Sequence, residues 1–235
     1  MIEEVRSCER SKKPMCRVCN IGWHFIESTQ WLQSILWKEF LKARGDMNWI
    51  HRWLCRSPGW RSTLEKRVPW VLGDAKLGAN VLEIGPGPGL TTDVLRGMCQ
   101  RLTALEIDWK LAHGLSARME GSNVRVVEGD ASQMPFAEAE FSGAVSFTML
   151  HHVPSPELQD RVLREACRVL APGGLFVGSD TLMSWIMRII HFNDTLVPVD
   201  PTTFGDRLEK AGFEVLDVQK NSDAFRFRAR RPTKG

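Results

Sequence analysis

The chain has 235 residues, of which 43% are hydrophobic and 25% charged, with a formal net charge of +3. That size and balance suit one α/β domain with an ample core plus an appendage. No apolar run approaches a membrane span, and the opening MIEEVRSCERSKKPMC lacks the apolar stretch of a signal peptide. A cytoplasmic protein is expected, its six cysteines (8, 16, 19, 55, 99 and 167) held as thiols rather than as a disulfide framework.

The chain divides by composition near residue 70. Residues 1–70 hold 13 Lys/Arg against 7 Asp/Glu and seven of the nine tryptophans, while the remainder holds 18 against 21. Apolar residues at helical spacing (Ile26, Trp31, Ile35, Phe40) predict a helix over 25–43 that Gly45-Asp46 stops. Shorter helices are expected over 47–55 and 61–72, with Pro58-Gly59 as a turn between them. Basic residues interleaved with Trp suit nucleic acid or an anionic surface. The competing and favoured reading is a helical lid that packs its tryptophans beside a ligand. Cys16 and Cys19 form a C-x-x-C, and Cys8 and His24 would complete four zinc ligands in number. Their spacing matches no common zinc module, so no metal is expected.

From residue 75 the apolar runs alternate between strand and helix. Residues 81–90, VLEIGPGPGL, read as a buried strand ending at Glu83, a glycine turn (Gly85, Gly87, Gly89) and a helix N-terminus. Glycine permits left-handed angles and close approach of a ligand, whereas Pro86 and Pro88 each remove an N–H that phosphates would need. The turn has no Lys, unlike a phosphate loop, and Leu90 replaces the third glycine of a dinucleotide fingerprint. About 20 residues on, LTALEID ends in Glu106 and Asp108, where a carboxylate reaches ribose hydroxyls. VRVVEGD then ends in Asp130, followed by Ala131. Acids after three successive strands suit a ligand with a cationic end, a ribose and an exocyclic amine.

Strands are predicted at 80–84, 102–107, 124–128, 143–148 and 174–180, with helices at 90–98, 109–119 and 157–170 between them. Connections of this length make right-handed crossovers and hence a parallel sheet with helices on both faces. Pro172-Gly173-Gly174 is a turn launching the fifth strand. A helix in TFGDRLEKAG precedes two strands joined by Asn221-Ser222-Asp223, a hairpin. Arg226, Arg228 and Arg230 alternate along its last strand and read as a charged face that blocks edge pairing.

Taken together, LEIGPGPG, ALEID, VEGDASQMPF, FSGAVSFTMLHHV and LREACRVLAPGGLFVGSD appear in the order shown by class I S-adenosylmethionine-dependent methyltransferases, which the chain resembles from about residue 68 to 213. The resemblance implies a Rossmann-like, seven-stranded, mostly parallel sheet with an antiparallel last strand, occupying 71–235 behind a helical extension over 1–70. It implies S-adenosylmethionine as cofactor. Glu83 and the turn with Gly85, Gly87 and Gly89 would hold the methionine end, Glu106 the ribose, and Asp130 with the Ala131 N–H the adenine edge. Phe147, ending the fourth strand, is placed with them.

Methyl transfer is an in-line displacement that the enzyme promotes by positioning, water exclusion and, where needed, proton removal. His151 and His152 follow the fourth strand and are candidate bases, with helix capping or packing as the alternative role. The segment 180–201 is expected to wall the acceptor pocket with Trp185, Met187, Ile189, Ile190 and Phe192, and Arg188 and His191 as polar anchors. A small, apolar acceptor is therefore expected. Nucleic acid is disfavoured by the acidic balance beyond residue 70 and by SFTMLHH standing where an Asn-Pro-Pro-Tyr-type motif would be. An RNA or protein methyltransferase docking through the basic extension is the alternative, as is a cofactor-binding protein without turnover.

Overall fold

A computed structural model describes residues 57–192 and 194–233. The helices expected over 25–43 and 47–55, and the Cys16/Cys19 pair with Cys8 and His24, lie outside the described residues.

Helix α1 (Pro58–Leu72) starts where Ser57 accepts a hydrogen bond from the Trp60 N–H at 3.1 Å and Pro58 takes the first turn. Leu64, Val68, Val71 and Leu72 recur at helical spacing and are its buried residues. Then follow β1 (Asn80–Ile84), α2 (Leu90–Leu95), β2 (Arg101–Glu106), α3 (Trp109–Arg118), β3 (Val124–Glu128) and β4 (Phe141–Phe147). Helix α4 (Pro156–Val169), strand β5 (Leu170–Thr181), helices α5 (Trp185–Ile190) and α6 (Pro201–Lys210), and strands β6 (Glu214–Lys220) and β7 (Ala224–Arg230) complete the described order.

The seven strands form one sheet in the order β3-β2-β1-β4-β5-β7-β6, parallel throughout except that β7 runs antiparallel to both its neighbours. Alternation along the strands builds two cores. Leu82, Ile84, Phe176 and Phe227 face a layer containing Leu163 of α4 and Phe204 and Leu208 of α6. Val81, Leu102, Val145 and Val177 face Val68, Val71 and Leu72 of α1 and Leu95 of α2. Helix α4 shows why this sequence is helical. Ser155 caps it, Pro156 opens it, and Gln159, Val162, Leu163, Ala166 and Val169 line the buried side.

Three details differ from the sequence reading. Pro58 and Gly59, expected as a turn before a helix over 61–72, form the first turn of α1. Strand β5 begins at Leu170, because the Pro172-Gly173-Gly174 stretch is absorbed as an irregularity: Phe141 pairs with Leu170, and Gly143 with Leu175. The arginine-bearing strand is not an edge, since β7 lies between β5 and β6. Its arginines instead satisfy the C-terminal carbonyls of α1, which the helix itself leaves open. Arg226 donates to the Trp70 carbonyl at 2.5 Å, and Arg228 to those of Val71 and Leu72 at 3.3 and 2.9 Å. Arg226 also lies over the Trp70 ring.

Candidate functional site

In this strand order the chain reverses direction across the sheet between β1 and β4, the crevice where open α/β sheets take ligands. Glu83 is buried beneath the turn that leaves β1. Its carboxyl accepts hydrogen bonds from the Thr91 hydroxyl and, at 2.6 Å, from the Thr92 hydroxyl, pinning the first turn of α2 to the strand. Burial pushes Glu83 up to about 7, the two hydroxyls pull the other way, and Glu106 and Asp93 add to the rise.

The turn glycines serve different ends. Gly87 has φ +55° and nothing within 4 Å of where a Cβ would stand, so its backbone borders open space. A Cβ on Gly89, at φ +82°, would sit 2.4 Å from both Leu115 Cδ1 and Arg118 Nη2 of α3. Gly89 is a packing glycine, and Arg118 fixes the turn from outside by donating to the Pro88 and Gly89 carbonyls at 3.0 and 3.1 Å. Gly85 starts the turn by donating its N–H to the Leu105 carbonyl at 2.9 Å.

Glu106 is buried at the end of β2 and reaches across to this turn. Its Oε2 accepts from the Gly87 N–H and its Oε1 from the Asp108 N–H, each at 2.9 Å. Burial raises its carboxyl above the ordinary value against the pull of these donors. Asp108 caps α3 by accepting from the Lys110 N–H at 2.8 Å. Between the two acids Ile107 is 52% exposed, an apolar platform absent from the sequence reading. An isolated apolar residue one step past a strand end was its only signal. Glu106 pairs with Glu128 on β3, and Asp130 follows, its carboxylate accepting from the Ser132 N–H at 2.7 Å at the head of a single 3-10 turn, Ala131–Gln133. Glu83, Glu106 and Asp130 therefore stand at the ends of adjacent strands. Phe147 ends β4 with its ring buried beside Val145 and Val177. The next residue, Thr148, adopts φ +51°, a conformation costing about 1–3 kcal/mol in a non-glycine residue and concentrated at functional sites.

The second half of the site lies beyond β4 and β5. His151 is buried on the short turn Leu150–His152, and His152 is half-buried. The His151 N–H donates to Asp180 Oδ2 at 3.0 Å and its ring Nδ1 bonds Asp180 Oδ1. Asp180, the residue before the end of β5, was not singled out, although it adds to the acids at the ends of β1, β2 and β3. Arg67 of α1 sits in the field of Asp180 and Asp223, with burial lowering its basicity. The Val197 N–H donates to the His151 carbonyl at 2.8 Å, and Gln159 donates to the Leu150 and Val197 carbonyls, so the loop after α5 clamps the histidine turn. His191, at the end of α5, is buried with its ring centroid 5.1 Å from both His151 and His152. The apolar residues of α5 are not core. None of the helix is buried; Trp185 is 70% and Ile189 62% exposed, with Phe192 just beyond at 73%.

Residues 82–178 match the family described as "Methyltransferase domain". Among curated proteins, a probable S-adenosylmethionine-dependent methyltransferase of Mycolicibacterium smegmatis is 29% identical over 60% of this chain and 54% of its own length. A sterol 24-C-methyltransferase of Gibberella zeae is 32% identical over 52% of the chain and 31% of its own. A probable tRNA methyltransferase 9B of Bos taurus is 28% identical over 62% and 31%. The chain thus spans about half or less of the length of these relatives. The fold is shared with N-methyltransferase NodS from Bradyrhizobium japonicum WM9, solved with S-adenosyl-L-homocysteine, at TM-score 0.61 and 22% identity, covering 81% of this chain and 94% of that one.

Proposed function

Because the chain carries a class I S-adenosylmethionine-dependent methyltransferase domain, whose cofactor is S-adenosylmethionine, we propose that it transfers a methyl group to a small, apolar acceptor in the cytoplasm. The single observation that carries the acceptor class is the exposed apolar face of α5 with Phe192, which follows the β5 strand end beside the histidine turn. When bound, the cofactor supplies a sulfonium methyl open to in-line displacement. The open face of Gly87 supports its close approach, and Glu106 would take the ribose hydroxyls, while Glu83, buried with its carboxyl on Thr91 and Thr92, would hold the methionine end through the turn it anchors. In this reading Asp130 and the Ala131 N–H take the adenine edge, Ile107 offers an apolar face to the base, and Gly85, Gly89 and Phe147 hold the surrounding backbone. His151 and His152 stand at the acceptor end, as candidate bases for its proton.

In this reading residues 1–70 carry a basic, Trp-rich extension to the domain of 71–235, and its last helix, α1, packs Leu64 and Val68 into that domain. A second reading, an RNA acceptor docked through that extension, is favoured by its 13 Lys/Arg against 7 Asp/Glu and by the likeness to a tRNA methyltransferase. Calorimetry should detect S-adenosylmethionine and S-adenosylhomocysteine binding and no NAD binding. Binding of NAD alone would sink the assignment. Labelled methyl donor incubated with apolar metabolite extracts and with RNA then separates the acceptors. Label appearing only in RNA would replace the small-molecule reading.

A further inference from the structure

We propose that His151, His152 and His191 form a binding site for a divalent cation of the zinc type at the acceptor end of the sheet. One ring nitrogen from each residue lies within 4.8 Å of the others. Three nitrogens bound tetrahedrally at about 2.0–2.1 Å from a zinc ion stand roughly 3.4 Å apart, so small rotations of the rings bring them to coordinating distance. The rings are already gathered, with centroids 4.2 Å apart for His151 and His152 and 5.1 Å for each of the other pairs.

The surroundings prepare two of the three as ligands. Nδ1 of His151 donates to the Asp180 carboxylate, and Nδ1 of His191 donates to the Met187 carbonyl at 2.8 Å. Each bond fixes the tautomer and leaves the lone pair on Nε2, the second-layer arrangement that metal-binding histidines use. Asp180 is fully buried and holds both the backbone N–H and the ring of His151. Arg67, the cation felt by Asp180, is countered by that carboxylate and by Asp223.

The donor set decides the metal class. Three imidazoles without thiolate or a direct carboxylate suit zinc, cobalt, nickel or copper over magnesium or calcium. Three protein ligands leave a fourth position open, as catalytic rather than structural sites do. The half-buried His152 provides the approach, and the exposed face of α5 adjoins His191. The open position is where the acceptor's oxygen or sulfur would bind through one lone pair, keeping another for attack on the methyl carbon. That role rests on the methyl-transfer reading; the binding of the cation does not. Nothing in the sequence spacing marks this set, since His191 lies 39 or 40 residues beyond the histidine pair.

The test is titration of metal-stripped full-length protein with Co²⁺, followed by visible ligand-field absorption and calorimetry, with S-adenosylmethionine binding measured on the same samples. One equivalent should bind with tetrahedral or five-coordinate bands. His152→Ala and His191→Ala should each abolish those bands, and Asp180→Asn should weaken binding by about 10–100-fold. Because His152 is half-buried, its variant keeps the test valid even where His191→Ala unfolds, and its thermal midpoint verifies this. The double variant Cys16→Ser/Cys19→Ser should retain the bands. No Co²⁺ binding by the parent, undiminished bands in His152→Ala, or bands lost only in the cysteine variant would each overturn the site. Cobalt binding without cofactor binding leaves the site standing and removes the methyl-transfer reading; cofactor binding without cobalt binding does the reverse.

Discussion

The two halves of the crevice are built on different plans. On the β1-β2-β3 side, each acid is held by backbone or hydroxyl donors at its own or the adjacent strand end: Glu83 by Thr91 and Thr92, Glu106 by Gly87 and Asp108, Asp130 by Ser132. On the β4-β5 side, the histidine turn depends on elements far along the chain: Asp180 on β5, His191 after α5 and Val197 in the loop beyond. The first half is arranged mostly by short-range contacts, with the bond from Gly87 to Glu106 crossing only to the neighbouring strand. The second is assembled by tertiary contacts, so damage there should spread to stability, while damage in the first should appear mainly as lost ligand affinity.

The largest effect should come from the second half. Asp180→Ala leaves the buried His151 N–H and Nδ1–H without acceptors. A loss of about 2–6 kcal/mol is expected in urea unfolding, from about 1–3 kcal/mol for each of the two unpaired buried donors. A change below about 0.5 kcal/mol, the usual range for surface substitutions, would erase the contrast between the halves.

Next comes the β1-β2-β3 side, proposed to hold the cofactor. Glu106→Ala and Asp130→Ala should each weaken S-adenosylmethionine binding by about 1–3 kcal/mol, as ribose or adenine groups lose their partners. Calorimetry reads this directly, and unchanged affinity in both variants would show the pocket to be misassigned.

A subtler effect is electrostatic. Glu83 has a folded-state value of about 7 against an ordinary 4.5, with the Thr91 and Thr92 hydroxyls, Glu106 and Asp93 acting on it. Its raised value means that the folded protein holds a proton the unfolded chain has released. Its contribution to stability is thus complete below about pH 4.5 and is lost as pH rises through about 7. Glu83→Gln, which cannot ionise, should flatten that part of the thermal-midpoint profile and gain on the parent above pH 7. Parallel profiles for parent and variant would contradict the burial argument, and Glu106, which is shifted in the same direction, remains in both as an internal reference.

The smallest effect is expected from the extension. A chain starting at Met47 should fold and bind cofactor as the parent does, because all three acids lie downstream, although acceptor turnover can change if the removed residues order the substrate. Equilibrium cofactor affinity and thermal midpoint check this. An insoluble or cofactor-blind truncation would make the first residues part of the domain.

What the sequence determined by itself is local. Strand, glycine turn and helix follow one another within 81–95, and acids recur at strand ends, because turn geometry and alternation are written into neighbouring residues. The resemblance carried by those motifs extended this to the seven-stranded sheet. Tertiary structure decided what depends on strand order. It put the Glu106 carboxylate on the Gly87 N–H across 19 residues, and made Gly87 an opening while Gly89 became a packing contact. It inserted β7 inside the sheet, turning an apparent edge charge pattern into arginines that bind the end of α1 some 156 residues away. It also brought His191 against the histidine pair. No periodicity records such contacts, because a side chain's spacing along the chain says nothing about which distant strand or helix the sheet will place beside it.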